Sequence, residues 1–329
     1  MRKRNFVFFM TLALFMFAFA QVNVYGSEAG EDDDKDFIRW MDFEVPLAIL
    51  KQAYKYDIES RGSETPLDFV QLLAYTAARG WGSFKGSGPS VAMDEVVQRL
   101  QNGERLNEIT QDMKLYDFYL SAYEAVLGGF VGEYEIETES GPKRCYGLKV
   151  FSPIAKGFYF THSDDFGNPR NYGYRRPHLG HDLFGSTGAP IISVEDGIVE
   201  AMGWNQYGGW RIGIRSLDGK RYYYYAHLRK DKPYSAGLEL GGRVSAGDVI
   251  GYLGATGYSR RENISNIKVP HLHFGMQIIF DESQKDGKNQ IWIDTYNIVR
   301  FLGINRMEVI RDADGEYKRG IYINNAPME

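Results

Sequence analysis

Pro270-His271-Leu272-His273-Phe274-Gly275-Met276-Gln277-Ile278-Ile279 places two imidazoles two residues apart at the head of an apolar run. Side chains alternate faces along a strand, so His271 and His273 point one way while Leu272 and Phe274 point the other. A lone histidine is more often a core or surface residue than a ligand. A same-face pair shifts that balance toward a site without settling it.

The pattern holds outward from this stretch. Residues 144–280 are dense in glycine and in alternating or β-branched runs, which predicts short strands and tight turns. Arg211–Ile214 and Arg221–Tyr225 flank Leu217-Asp218-Gly219-Lys220, and Asp-Gly is a strong hairpin signal. Five of the six histidines lie within residues 178–273. His178 and Asp182 are four apart, but Pro177, Gly180 and Gly185-Ser186-Thr187-Gly188 argue against a helix there. A turn or irregular strand bringing imidazole and carboxylate to one point is expected instead. Such a donor set suits zinc, whose catalytic sites use three protein ligands and leave one position for water.

Three short stretches together are more specific than any one: His178 to Asp182 (His-x-x-x-Asp), Tyr225-Ala226-His227-Leu228, and His271-Leu272-His273-Phe274. Between them stand Gly188-Ala189-Pro190-Ile191, Gly197-Ile198-Val199, Gly247-Asp248-Val249-Ile250-Gly251 and Gly254-Ala255-Thr256-Gly257. In order and spacing, residues 145–280 resemble the lysostaphin-type (LytM-like) zinc metallo-endopeptidases of bacterial cell walls. The resemblance implies one zinc per chain held by His178, Asp182 and His273. It also implies that His271 and His227 are the catalytic histidines flanking the metal. His271 is favoured as the base and His227 as the oxyanion donor, with the reverse left open. The implied substrate is the cross-linking or stem peptide of peptidoglycan. The alternative is a non-catalytic peptidase-like module that binds wall or regulates other hydrolases; members of that kind are expected to lack ligands or catalytic histidines, and all five are present. A purely structural zinc site is disfavoured, because such sites usually have four protein ligands, often cysteines.

Other residues have plainer readings. His181 faces away from Asp182 on a strand, which suggests a supporting or surface role. His162 matches no motif and reads as a loop residue. By alternation Tyr223 and Tyr225 share the face of His227, so they are candidate substrate contacts, although strand packing explains the run of tyrosines equally well. Thirteen residues, Tyr258 to Pro270, separate the Thr-Gly turn from the His-Leu-His stretch, more than the family usually has. They include Arg260, Arg261 and Lys268 and are expected at the rim of the site, where they either shape substrate choice or form a solvated loop.

The N-terminal part reads differently. Arg2, Lys3 and Arg4 precede the apolar run Phe6–Ala20, and Ala18-Phe19-Ala20 offers a cleavage site, so residues 1–26 are expected to be an export signal or, if uncleaved, an anchor. An acidic linker at 27–36 follows. Residues 37–132 carry helical patterns: one helix opened by Pro46, one capped by Thr65 with Pro66 in its first turn, one capped by Ser90, and one over Met113–Leu127. Glu59-Ser60 resembles the Glu-Ser of lytic transglycosylases, but the rest of that pattern is missing. The expected architecture is α+β: the helical accessory domain, then an antiparallel β-sheet-rich peptidase domain over 133–304, then a C-terminal tail over 305–329. The formal net charge is −5. Losing the signal would remove three positive charges, so nucleic acid is not an expected partner. The single cysteine, Cys145, precludes an internal disulfide. An extracytoplasmic protein, secreted or associated with the wall, is expected, touching membrane only through an uncleaved anchor.

Overall fold

The computed structural model describes residues 39–41, 43–280, 284 and 289–324, so the expected export signal and acidic linker lie outside the described residues. A short strand, β1 (Arg39–Met41), precedes five helices: α1 (Leu47–Ser60), α2 (Phe69–Arg79), α3 (Gly88–Gln101), α4 (Leu106–Thr110) and α5 (Tyr116–Leu127). The architecture is α+β. Among its eleven residues, α2 exposes only Gln71 and Arg79 to any extent, and α1, α3 and α5 surround it. Its small residues Ala74, Ala77 and Ala78 allow that close approach.

Three helix starts differ from expectation. Asp68, not Thr65, caps α2 by accepting from the Gln71 N–H at 2.8 Å. The neighbouring Phe69 N–H goes to buried Asp57 at 2.7 Å, so the start of α2 is pinned to α1. Pro89 lies in the first turn of α3, which starts at Gly88 after Ser87. The chain turns twice at 113–116 before α5 begins, because Met113 and Tyr116 N–H groups close short turns onto Thr110 and Met113 carbonyls.

The rest is mainly sheet: β2 (Val131–Thr138), β3 (Gly141–Leu148), β4 (Phe160–Thr161), β5 (Pro169–Arg170), β6 (Arg176–Pro177), β7 (His181–Gly185), β8 (Pro190–Ile192), β9 (Gly197–Asn205), β10 (Gly209–Ser216), β11 (Arg221–Ala226), β12 (Arg243–Val244), β13 (Val249–Tyr252), β14 (His271–Ile278) and β15 (Ile291–Ile293). After α6 (Tyr296–Leu302) come β16 (Val309–Arg311), β17 (Tyr317–Arg319) and β18 (Ile323–Asn324). The main sheet runs β1-β15-β14-β11-β10-β9-β12, and β7 pairs with the first half of β14 and with β4. All its pairs are antiparallel except β1 with β15. The anticipated β10–β11 hairpin forms in register Ile212↔Tyr225, turning through residues 217–220 with Gly219 at φ 75°.

Two boundaries are corrected by the pairing. Residues 39–41 belong to the main sheet rather than to the helical part. The segment read as a tail is built in: Ile323 and Asn324 pair with β2, and Glu316 holds Tyr252 and Lys232. One core runs through both parts, with Phe69 of α2 stacked on Phe301 of α6 at 5.5 Å and Tyr54 edge-on to the same ring. Arg221, 1% exposed, donates to the Ala125 carbonyl of α5 at 3.1 Å and to Glu195 and Asp218.

Candidate metal centre and groove

The register of β14 assembles the cluster. His273 stands opposite Asp182 of β7 on one side and Ala226 of β11 on the other. His178, just after β6, swings over this pair. Its Nε2 lies 2.8 Å from His273 Nδ1 and 3.0 Å from Asp182 Oδ1, and His273 Nδ1 is 3.2 Å from the same oxygen. Gly180 makes this approach possible: a Cβ there would meet His273 Cε1 at 2.5 Å and Nε2 at 2.6 Å. Among the described residues this is the one His/Cys/Asp/Glu group able to converge on a metal ion.

Two residues that the sequence reading passed over hold the cluster from behind. Asp165 accepts at its backbone oxygen and at Oδ2, each 3.1 Å from His178 Nδ1. Arg170 Nη2 donates to Asp165 Oδ2 at 2.7 Å and to Asp182 Oδ2 at 2.9 Å. It also lies 2.9 Å from His178 Nδ1, but a guanidinium only donates, and with two Asp165 oxygens in reach the imidazole hydrogen belongs on Nδ1. That leaves His178 Nε2 with its lone pair facing the cluster. Burial opposes charging His178, yet the Asp165 and Asp182 carboxylates outweigh it and raise its pKa to about 9, so at neutral pH Nε2 also carries a hydrogen, which a metal ion taking that lone pair must displace. Burial holds His273 down at about 4. Asp182 sits well below the usual carboxylate range despite its burial, because His178 and His273 bond to it.

His271 and His227 flank the cluster, their rings 4.8 Å apart. His271 Nε2 is 3.7 Å from Asp182 Oδ1. Each ring directs Nδ1 to a backbone carbonyl at 2.9 Å, His271 to Val269 and His227 to Thr256. Carbonyls only accept, so each Nδ1 carries the hydrogen and each neutral ring presents a bare Nε2. Burial, with help from His271, pushes the His227 pKa well below its ordinary value.

His227 has φ 63°, in the left-handed region. It lies just after β11 and departs from that strand's alternation, which corrects the tyrosine assignment. Tyr223 and Tyr225 are on the core face, 1% and 0% exposed, packed on Phe274 and bonded to Glu195 and the Val194 N–H. Tyr222 and Tyr224 line the groove instead. His181 is fully buried behind the sheet, its Nε2 2.6 Å from His162 Nδ1. His162 is thus more than a loop residue: it packs on His181 and Tyr296, and burial lowers its pKa to about 4.

A groove of about 670 Å³ runs from this cluster across the outer face of the sheet. On its rim Tyr258, first residue of the long loop, stacks on Tyr172 of the β5–β6 hairpin at 4.6 Å and edges His227. Asn263 ties the same loop to Trp210 and Asp231. Arg260 and Arg261 are exposed and do not line the groove. Glu59 is likewise exposed, and Ser60 spends its hydroxyl on the Asp57 carbonyl and Leu67 N–H, so that pair is structural.

Two imidazole nitrogens and one carboxylate oxygen, from buried His178 and Asp182 and partly buried His273, beside an open groove, fit a three-ligand zinc site. Residues 176–289 match the family model of Peptidase family M23, and this segment is a domain of that family. Over 117 residues the chain is 40% identical to the L-Ala–D-Glu endopeptidase of Bacillus subtilis, covering 36% of this chain and 34% of that protein. Over 98 residues it is 39% identical to the glycyl-glycine endopeptidase ALE-1 of Staphylococcus capitis, covering 30% of this chain and 24% of that protein. The chain therefore spans about a third or less of the length of these curated relatives. A crystal structure of a candidate glycyl-glycine endopeptidase lytM from Ruminococcus gnavus shares the fold with a TM-score of 0.53 at 21% identity, over 82% of this chain and 91% of that one. The shared fold thus extends beyond the matched segment.

Proposed function

We propose that this protein is a zinc metallo-endopeptidase that hydrolyses peptide bonds of bacterial peptidoglycan outside the cytoplasm. The observation that carries the reading is the arrangement of five residues. Donor atoms of His178, Asp182 and His273 converge, and His271 and His227 stand beside them with Nε2 bare. The Peptidase family M23 match and the endopeptidase relatives, with a peptidoglycan DD-endopeptidase of Vibrio cholerae among them, support it. All five residues are present, which counts against a non-catalytic wall-binding or regulatory module.

In this reading His178 Nε2, Asp182 Oδ1 and His273 Nδ1 hold one zinc. When bound, the metal supplies Lewis-acid activation of water and of the scissile carbonyl. His271 Nε2 takes the proton from the attacking water, and the resulting imidazolium faces Asp182. His227 sits on the other side. Its neutral ring, with Nδ1–H given to Thr256, accepts at Nε2; it donates to a developing oxyanion only when doubly protonated. Burial opposes that second proton and the negative charge of the oxyanion favours it. His271 then returns its proton to the leaving amine.

Metal analysis tests the reading. Protein loaded with zinc and desalted is expected to retain one zinc per chain and to clear a suspension of purified peptidoglycan. Asp182→Ala is expected to lose both. Clearing that persists without bound metal would sink the proposal.

A further inference from the structure

We propose that the groove contains, beyond the metal cluster, a subsite for a carboxylate of the peptide substrate, built on Arg211 and Arg215. The proposal rests on the peptidase reading and narrows its substrate to acidic peptides.

Ile212 and Ile214 of β10 are in the core, so Arg211, Gly213 and Arg215 face the groove, and both arginines line it. The register locates them. Arg215 pairs with Tyr222 and Tyr222 with Gln277, four residues along β14 from His273. Arg215 is therefore ~13 Å from the cluster along the strands, the reach of about four residues of extended peptide.

Arg215 is 7% exposed, with its guanidinium over the Tyr222 ring at 5.3 Å. A bulge in β9 brings Glu200 to its Nε at 2.6 Å, but its Nη1 is buried without a hydrogen-bond partner. Arg211 Nε is buried and unpartnered too, and no described carboxylate lies within ion-pair distance of Arg211. One glutamate thus faces two guanidinium groups. Buried donors left unmade are costly, and natural structures keep few of them without a reason. Across the groove Arg176 lies over the rings of Tyr174 and Tyr207, adding positive charge. In a chain of net charge −5 this local excess is not a by-product of composition.

A guanidinium presents paired donors that match a carboxylate, and the Tyr222 and Tyr224 rings, which line the groove between the level of Arg215 and that of His273, offer a flat path for peptide backbone. A neutral glycine chain has nothing to fill such a subsite. A peptide with a free side-chain or α-carboxylate has.

Zinc-loaded His271→Ala protein, which binds without cutting, gives the test. Uncross-linked stem peptides from purified peptidoglycan are titrated in native form and after amidation of their carboxylates. The native peptides are expected to bind about tenfold tighter. The difference is expected to disappear in the added variant Arg211→Gln, with Arg215→Gln as a second check, and to shrink with salt. Equal binding of both forms, or binding of neither, overturns the subsite. Selection by the His271→Ala protein without any wall cleavage by wild type supports the subsite and sinks the hydrolase. Cleavage without selection does the reverse.

Discussion

His273 lies directly opposite Asp182 in the β7–β14 ladder, with Nδ1 3.2 Å from Oδ1, so strand register alone brings two of the three donor residues together. Gly180, with no side chain, leaves room for the His273 ring. Gly180→Ala is expected to leave a folded protein but to push the His273 ring aside, lowering zinc affinity by at least about tenfold. Competition with a chromophoric chelator measures this; unchanged affinity would show that the close approach is unimportant.

Asp165 fixes the hydrogen of His178 on Nδ1. Asp165→Asn is expected to weaken zinc binding by about 10–100-fold, the range seen when a partner behind a metal-bound histidine is lost. Asp165→Glu is expected to restore part of it. Wild-type affinity in the asparagine variant would place the control of His178 elsewhere, with Arg170 the next residue to test.

Arg221 joins the helical part to the sheet through Ala125, Glu195 and Asp218. Arg221→Met is expected to cost about 3–5 kcal/mol in urea unfolding, because it strands half-buried Glu195. Removing Glu195 as well, as Glu195→Gln, is expected to recover part of that loss. A cost under about 1 kcal/mol would mean that this polar joint adds little to the rest of the contact between the two parts.

Asp57 is buried under the start of α2, and burial raises its pKa even though Tyr146 and the Phe69 N–H bond to it. A raised carboxylate in the fold disfavours the ionised form. Its contribution is therefore full below the ordinary carboxylate pKa and lost as pH rises through the folded value. The stability difference between wild type and Asp57→Asn is expected to shrink from about pH 3 to about pH 7. Urea unfolding across that range checks the sign, and a difference that grows with pH contradicts it.

That His178, Asp182 and His273 meet was legible in short motifs because two of them sit on regular strands, where spacing dictates facing. Alternation failed at His227, where one left-handed residue just after β11 turns the histidine off the parity of the strand, so Tyr223 and Tyr225 are in the core while His227 reaches the cluster. Asp165 and Arg170 carried no periodic signal; a loop and a two-residue strand bring them in. The pairing of residues 39–41 with 291–293 joins segments at opposite ends of the described chain, and no local pattern encodes such a contact. The start of α2 slipped by a few residues because the Asp57 side chain, from another helix, holds the Phe69 N–H.

The most direct test of the central claim is mass spectrometry of purified peptidoglycan after incubation with zinc-loaded protein lacking residues 1–26. Paired new amino and carboxyl ends are predicted, absent with chelator and with His271→Ala, and lying within a few residues of a free carboxylate. Intact peptides across several wall types, from protein shown to hold its zinc, would contradict the account.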